Sequence, residues 1–220
     1  MSEYLLSTSG LTKQFGHHKA VNNVDLHVKK GAIYGFIGRN GAGKTTFLKM
    51  ISGLSKPTDG EIQMFGYRNE ELKNVRSRIS CLIEAPGIYG NMSAYHNLAI
   101  KCRLFGINDS KYIENILKIV GLSEVGKKKT KHFSLGMKQR LGIGLALVGE
   151  PDLLVLDEPI SGLDPQGIAE IRDMLLRLKE EQNMTIIISS HILEELSKIA
   201  THYGIIHNGS LIQELTREEL

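Results

Sequence analysis

The 220 residues suffice for one large folding unit with an insertion, and the formal net charge of +3 is too small for the strongly basic face of a nucleic-acid groove. No apolar run approaches the roughly 18–20 residues of a membrane span, and Met1–Gly10 lacks the charged and apolar regions of a signal peptide, so a soluble chain made in the cytoplasm is expected. Cys81 and Cys102 have no metal-ligand spacing and read as small buried hydrophobes, with no disulfide.

From Glu3 to Lys30 the pattern is one of short strands of mixed polarity, broken by Gly10, Gly16 and Asn22-Asn23, which suits an antiparallel edge sheet. Phe15, just before Gly16, is an aromatic that either packs at a turn or stacks on a base through its π face. Ile33–Ile37 is a bare apolar strand. It runs into Gly38-Arg39-Asn40-Gly41-Ala42-Gly43-Lys44-Thr45, a full match to the phosphate-loop pattern, and then into a helical pattern carrying Phe47, Leu48 and Ile51. Glycines let backbone N–H groups close around phosphate oxygens, and the helix start adds partial positive charge at the same place. Lys44 offers a full charge to the β and γ phosphates, and Thr45 a hydroxyl to Mg²⁺. The stretch therefore predicts a nucleotide triphosphate site.

Pro57-Thr58-Asp59-Gly60 is a turn signal followed by the alternating strand Glu61–Phe65. A charged segment, Asn69–Arg78, leads to the apolar strand Ile79–Ile83, which ends at Glu84-Ala85-Pro86-Gly87. From Ser93 to Val148 the periods are helical: Tyr95, Leu98, Cys102 and Phe105 share one face, and Ile113, Ile116, Leu117 and Val120 another. Ser93 and Ser110 are the expected N-caps and Gly121 the expected stop. Lys127–His132 is a basic run that reads as a solvated loop, with a partner or membrane contact as the sharper alternative.

Leu153–Leu156 is a second bare strand, ending in Asp157-Glu158-Pro159, and a carboxylate there faces the ligand crevice of an open α/β sheet. Pro165 begins an amphipathic helix with Ile168, Ile171, Leu175 and Leu178 inward. Thr185–Ile188 is the next buried strand. It delivers Ser189, Ser190 and His191 to the same edge, the serines being expected to cap the following helix. His202–Glu214 forms a last hairpin with Asn208-Gly209 as its turn.

In this order the motifs resemble the nucleotide-binding domains of ABC transporters over nearly the whole chain. The resemblance implies an α/β fold, a P-loop NTPase (RecA-like) core with an antiparallel β subdomain and a helical insertion. It divides the chain into an ATP-binding core, residues 1–87 and 151–220, and a helical signature subdomain, residues 88–150. Phe15 matches the adenine-stacking aromatic. Gly38–Thr46 matches the Walker A motif, in which Gly38, Asn40, Gly41, Gly43, Lys44, Thr45 and Thr46 would hold the phosphates. Leu153–Asp157 matches the Walker B strand, with Asp157 and Thr45 on Mg²⁺ and Glu158 as catalytic base. Ser161–Asp164 matches the loop that crosses the dimer interface, with Asp164 reaching the nucleotide, and His191 the switch histidine that senses the γ-phosphate. The signature appears as Phe133-Ser134-Leu135-Gly136-Met137, keeping Ser134 and Gly136, through which the family grips the partner's γ-phosphate, and carrying Met137 where a Gln is usual. Glu84 stands where the family places a Gln that touches Mg²⁺ and the attacking water. Both departures resemble the subgroup that exports bacitracin and lantibiotics.

What the resemblance implies is an ATPase with ATP and Mg²⁺, catalysis through Glu158, His191, Lys44 and Glu84, and a head-to-tail homodimer. It also implies permease subunits on other chains, an antimicrobial peptide as cargo, no nucleic acid, and a peripheral place at the cytoplasmic face of the cell membrane. A soluble ATP-driven clamp and a regulator that binds without turnover are the competing readings. The first usually carries a coiled-coil insertion or a second cassette, absent here, and Glu158 speaks against the second. His17, His18, His27, His96, His132, His202 and His207 form no ligand pattern.

Overall fold

The computed structural model describes residues 4–220, so Glu3 and the start of the N-terminal segment lie outside it. Two antiparallel strands open the fold, β1 (Tyr4–Phe15) and β2 (His18–Lys29). Each has 12 residues rather than being a short strand. Register shifts between Thr8 and Leu11, beside Gly10 at φ 59°, let one strand run through what reads in the sequence as a break. With β4 (Asp59–Met64) and β5 (Tyr67–Arg68) they form a four-stranded sheet in the order β2-β1-β4-β5.

The second sheet is built from β3 (Ile33–Ile37), β6 (Ile79–Leu82), β7 (Leu153–Asp157), β8 (Thr185–Ser190), β9 (His202–His207) and β10 (Ser210–Thr216), in the order β10-β9-β3-β8-β7-β6. All of its pairs are parallel except the β9–β10 hairpin. Its central strands are apolar without alternation because both faces are covered. Alternate side chains then serve different cores. Ile33, Leu154, Leu156, Ile186 and Ile188 face the helices α2 (Ala94–Leu104), α3 (Ser110–Ile119), α4 (Leu135–Leu147) and α5 (Pro165–Gln182). Tyr34, Phe36, Leu153, Val155 and Ile187 face α1 (Lys44–Ile51) and the antiparallel sheet.

Local details depart from the sequence expectations where nonlocal contacts decide. Ser93 caps α2, but α3 is capped by Asp109, whose side chain accepts from Lys111 N at 2.9 Å, not by Ser110. Phe105 lies past the end of α2 and is 47% exposed rather than sharing its buried face. Asn69–Arg78 is a 3₁₀ segment that buries Leu72 and Val75. The short helix α6 (Leu193–Ser197) has no side-chain cap; Ser190 Oγ instead accepts from the Ile192 amide just before it at 3.0 Å, and Ser189 turns elsewhere. Gly121, at φ 64°, does end α3.

The two sheets are joined at their far end by Glu214. Its Oε1 accepts from the His27 amide at 2.9 Å and from the buried Tyr34 hydroxyl at 2.7 Å, and its Oε2 lies 2.8 Å from His27 Nδ1. Burial first, then the Glu214 carboxylate, hold the Tyr34 phenol well above its ordinary value. A folded-state value above the unfolded one gives a contribution complete below about pH 10 and lost as pH rises through the tyrosine range. Urea unfolding should therefore show stability falling above about pH 10 more steeply for the native protein than for Tyr34→Phe. Near neutral pH the variant should be less stable by about 1–3 kcal/mol, having lost a hydrogen bond to a charged group.

Candidate nucleotide site

The carboxyl edge of the parallel sheet gathers the residues singled out in the sequence. β3 ends at Ile37, the loop Gly38–Gly43 follows, and α1 begins at Lys44. Gly43 has φ 107° and faces the chain so closely that a Cβ would lie 2.4 Å from the Ala20 carbonyl oxygen. The start of α1 has neither a side-chain cap nor an acidic residue in its first turn. Its first N–H groups and positive dipole end are thus left for an anion. Lys44 is 5% exposed and folds back on the loop, donating to the Gly38 carbonyl at 2.6 Å and the Arg39 carbonyl at 3.3 Å.

Asp157 closes β7 and is fixed from both sides. Thr45 Oγ1 donates to its Oδ2 at 2.7 Å, and Ser189 Oγ to its Oδ1 at 2.6 Å. Ser189 Oγ also accepts from the Glu158 amide at 2.9 Å, so one hydroxyl positions both neighbouring carboxylates. A threonine hydroxyl and a carboxylate are hard oxygen donors suited to Mg²⁺, which takes one or two protein ligands and completes its shell from phosphates and water. Among the described residues no cluster of three or more His, Cys, Asp or Glu could hold a metal on its own, so an ion here would share its ligands with a nucleotide.

Glu158 follows at φ 48°. Its Oε2 is 2.9 Å from His191 Nδ1. Lys44 Nζ stands 3.2 Å from Oε1 as an ion pair without hydrogen-bond alignment, and that buried oxygen has no hydrogen-bond partner among the described residues. An orphaned carboxylate oxygen beside the phosphate-loop lysine is placed to accept a proton from water.

Glu84 is arranged differently. It lies two residues past the end of β6, the strand that pairs with β7, and it too has positive φ, 64°. Its carboxylate, however, meets Lys49 Nζ at 2.5 Å and is 67% exposed. Among the described residues no hydrogen bond or ion pair joins it to Thr45 or Asp157. The two glutamates are thus each met by a lysine of α1, Lys44 for one and Lys49 for the other.

Phe15 is 55% exposed with Lys13 Nζ 5.2 Å from its ring centroid, and it pairs with His18, two residues before the Ala20 that touches Gly43. Lys13 stands over one face of the ring, and more than half of the residue remains exposed. The signature residues lie elsewhere. Ser134 caps α4, accepting from Met137 N at 3.2 Å, and it lines a cavity of about 480 Å³ with Gly136, Gly162 and Asp164 but with no phosphate-loop residue. Asp164, expected at the nucleotide, has its Oδ1 engaged by Gly167 N at 2.9 Å as the cap of α5.

Two participants escaped sequence reasoning. Ser189 reads there as a helix cap, although its register partner across β7–β8 is Asp157. Gly209 reads only as a hairpin turn, yet its amide donates to the Ala42 carbonyl at 2.9 Å and its carbonyl accepts from Asn22 N at 2.8 Å, buttressing the phosphate loop. A contact 167 residues away in sequence leaves no local signal beyond the glycine itself.

Comparison with known proteins gives a consistent result. Residues 21–161 match the family described as ABC transporter. The chain is 48% identical over 219 residues to the bacitracin transport ATP-binding protein BcrA of Bacillus licheniformis, covering 98% of this chain and 71% of that one. It is 43% identical over 210 residues to the lantibiotic transport ATP-binding protein SrtF of Streptococcus pyogenes, covering 96% and 90%. In structure it resembles a Clostridium perfringens protein described as part of the ABC transporter complex cbiONQ, with TM-score 0.88, 27% identity and coverage of 99% and 90%.

Replacing Ser189 by Ala should lower Mg²⁺-dependent nucleotide turnover about 10- to 100-fold, as loss of an orienting partner of a metal ligand does. Steady-state kinetics beside an unchanged far-ultraviolet circular dichroism spectrum would check this.

Proposed function

Since this chain belongs to the ABC transporter family, as an ATPase subunit that drives membrane permease partners, we propose that it powers export of a bacitracin-like or lantibiotic peptide. In this reading it works as a head-to-tail dimer around two ATP molecules. The observation that supports the chemistry best is the buried Glu158 oxygen that has no hydrogen-bond partner and stands 3.2 Å from Lys44 Nζ, next in sequence to the Asp157 that Thr45 holds. The peptide assignment rests on the bacitracin and lantibiotic relatives. Among the described residues no helix is long and apolar enough to cross a membrane, which fits permeases on other chains.

In this reading the phosphates enter the cradle of loop and helix-start N–H groups, with the adenine on Phe15. Lys44 leaves the Gly38 and Arg39 carbonyls for the β and γ phosphates. Thr45 and Asp157 would hold Mg²⁺, which would supply charge neutralisation at the phosphates. Glu158 accepts a proton from the attacking water, and His191 holds Glu158 Oε2, leaving Oε1 for that water. The cavity that Ser134 and Gly136 line includes no residue of the same chain's phosphate loop, and in this reading they close over a partner's γ-phosphate. Hydrolysis then removes the contacts that favour the closed pair.

The Glu158→Gln variant is expected to retain ATP binding while losing turnover by about 100-fold or more, the usual scale for a general base. In a peptide-sensitive host expressing the chain with its permeases, the native protein should raise tolerance to bacitracin or a lantibiotic and the variant should not. Equal sensitivity with either protein across such a panel would contradict the peptide assignment, and unchanged turnover would remove Glu158 as base.

A further inference from the structure

The signature carries a leucine that the mechanism above does not use. Leu135 is the first residue of α4, directly after the Ser134 cap, and is 54% exposed. Helix starts favour acidic, small polar or proline residues, so a γ-branched apolar side chain there has no local advantage. Its contacts are tertiary. A Cβ built on Gly162 would lie 3.4 Å from Leu135 Cδ2, and one built on Gly136 would lie 3.7 Å from Leu163 Cδ2. Each leucine therefore rests over the glycine next to the other.

This places the loop after Glu158 against the helix start that carries Ser134. The loop is a chain of tight turns, with Ser161 N donating to the Glu158 carbonyl at 3.1 Å and Leu163 N to the Ile160 carbonyl at 3.3 Å. Ile160 is buried in the core and Asp164 is pinned as the cap of α5, so little slack exists at either end. Gly162 passes under Leu135 at φ 74°, a conformation that side chains rarely adopt. Because packed leucines do not deform continuously, a shift of this loop displaces the first turn of α4.

We infer that Leu135 and Leu163 form an apolar interlock that couples each chain's own Glu158 to the Ser134 it presents to its partner's nucleotide. Both are positioning residues. The inference rests on the head-to-tail reading for its consequence, but the interlock itself lies within one chain.

The test combines Leu135→Ala, Leu163→Ala, the double variant and the conservative Leu135→Met. In the nucleotide-free chain, where no partner ATP is held, the Leu163 amide should exchange with solvent about fivefold faster in either alanine variant. With ATP, turnover should fall about fivefold and its cooperativity in ATP should flatten, while ATP affinity stays within about twofold. The double variant should be no worse than the single ones, and Leu135→Met should behave as the native protein does. Native-like exchange and cooperativity in Leu135→Ala, or losses that multiply in the double variant, would overturn the interlock. The dimer reading is scored separately on Glu158→Gln: if that protein stays monomeric with ATP, the coupling falls with the dimer, whatever the exchange rates show.

Discussion

Asp157 is the point at which the fold becomes a site. One carboxylate takes a hydroxyl from Thr45, at the start of α1, and another from Ser189, at the end of β8. Three segments far apart in sequence are thereby fixed at one edge of a parallel sheet. The sheet makes this possible because its side chains alternate between two separate cores, leaving the strand ends as the place where polar groups emerge. Asp157 itself is 7% exposed, so its two hydroxyl partners satisfy a charge that would otherwise be costly to bury. A cation arriving with phosphates would be met by groups already oriented.

The electrostatic plan around that point is carried by α1. Two glutamates lie just past the ends of the neighbouring strands β6 and β7, both in left-handed backbone. Lys44 and Lys49 divide them. The Lys44–Glu158 pair is largely buried, whereas the Lys49–Glu84 pair is exposed, a setting in which ion pairs contribute little and exchange readily. Glu84 is therefore held loosely at the mouth of the helical segment, next to Pro86 and Gly87, which line a groove with Tyr89, Lys101 and Leu104.

Much of this was legible from residue order, because a phosphate loop, a strand ending in two acids and a bare strand ending in Ser-Ser-His are local patterns with local causes. The fold class and family followed from their succession. What stayed hidden depends on contacts between distant segments. The sequence cannot tell that Ser189 turns toward Asp157 rather than toward a helix, that Gly209 supports Ala42, or that Glu84 finds Lys49. Likewise Asp109 displaces Ser110 as a cap because both are good caps one residue apart, and only the path of the chain decides. The bulged β1 reads as fragments because its glycine interrupts the pattern without interrupting the strand.

In the proposed head-to-tail dimer each ATP site is completed by a second chain, with Lys44 from one and Ser134 from the other. Lys44→Ala removes the phosphate-loop charge. Ser134→Asp keeps a competent helix cap but sets a negative charge against the partner's γ-phosphate. Each variant alone should be inactive. Mixed together, they form pairs in which one site combines an intact phosphate loop with an intact Ser134, and ATP turnover should return. Absence of any recovery across mixing ratios, with both proteins folded, would contradict the account.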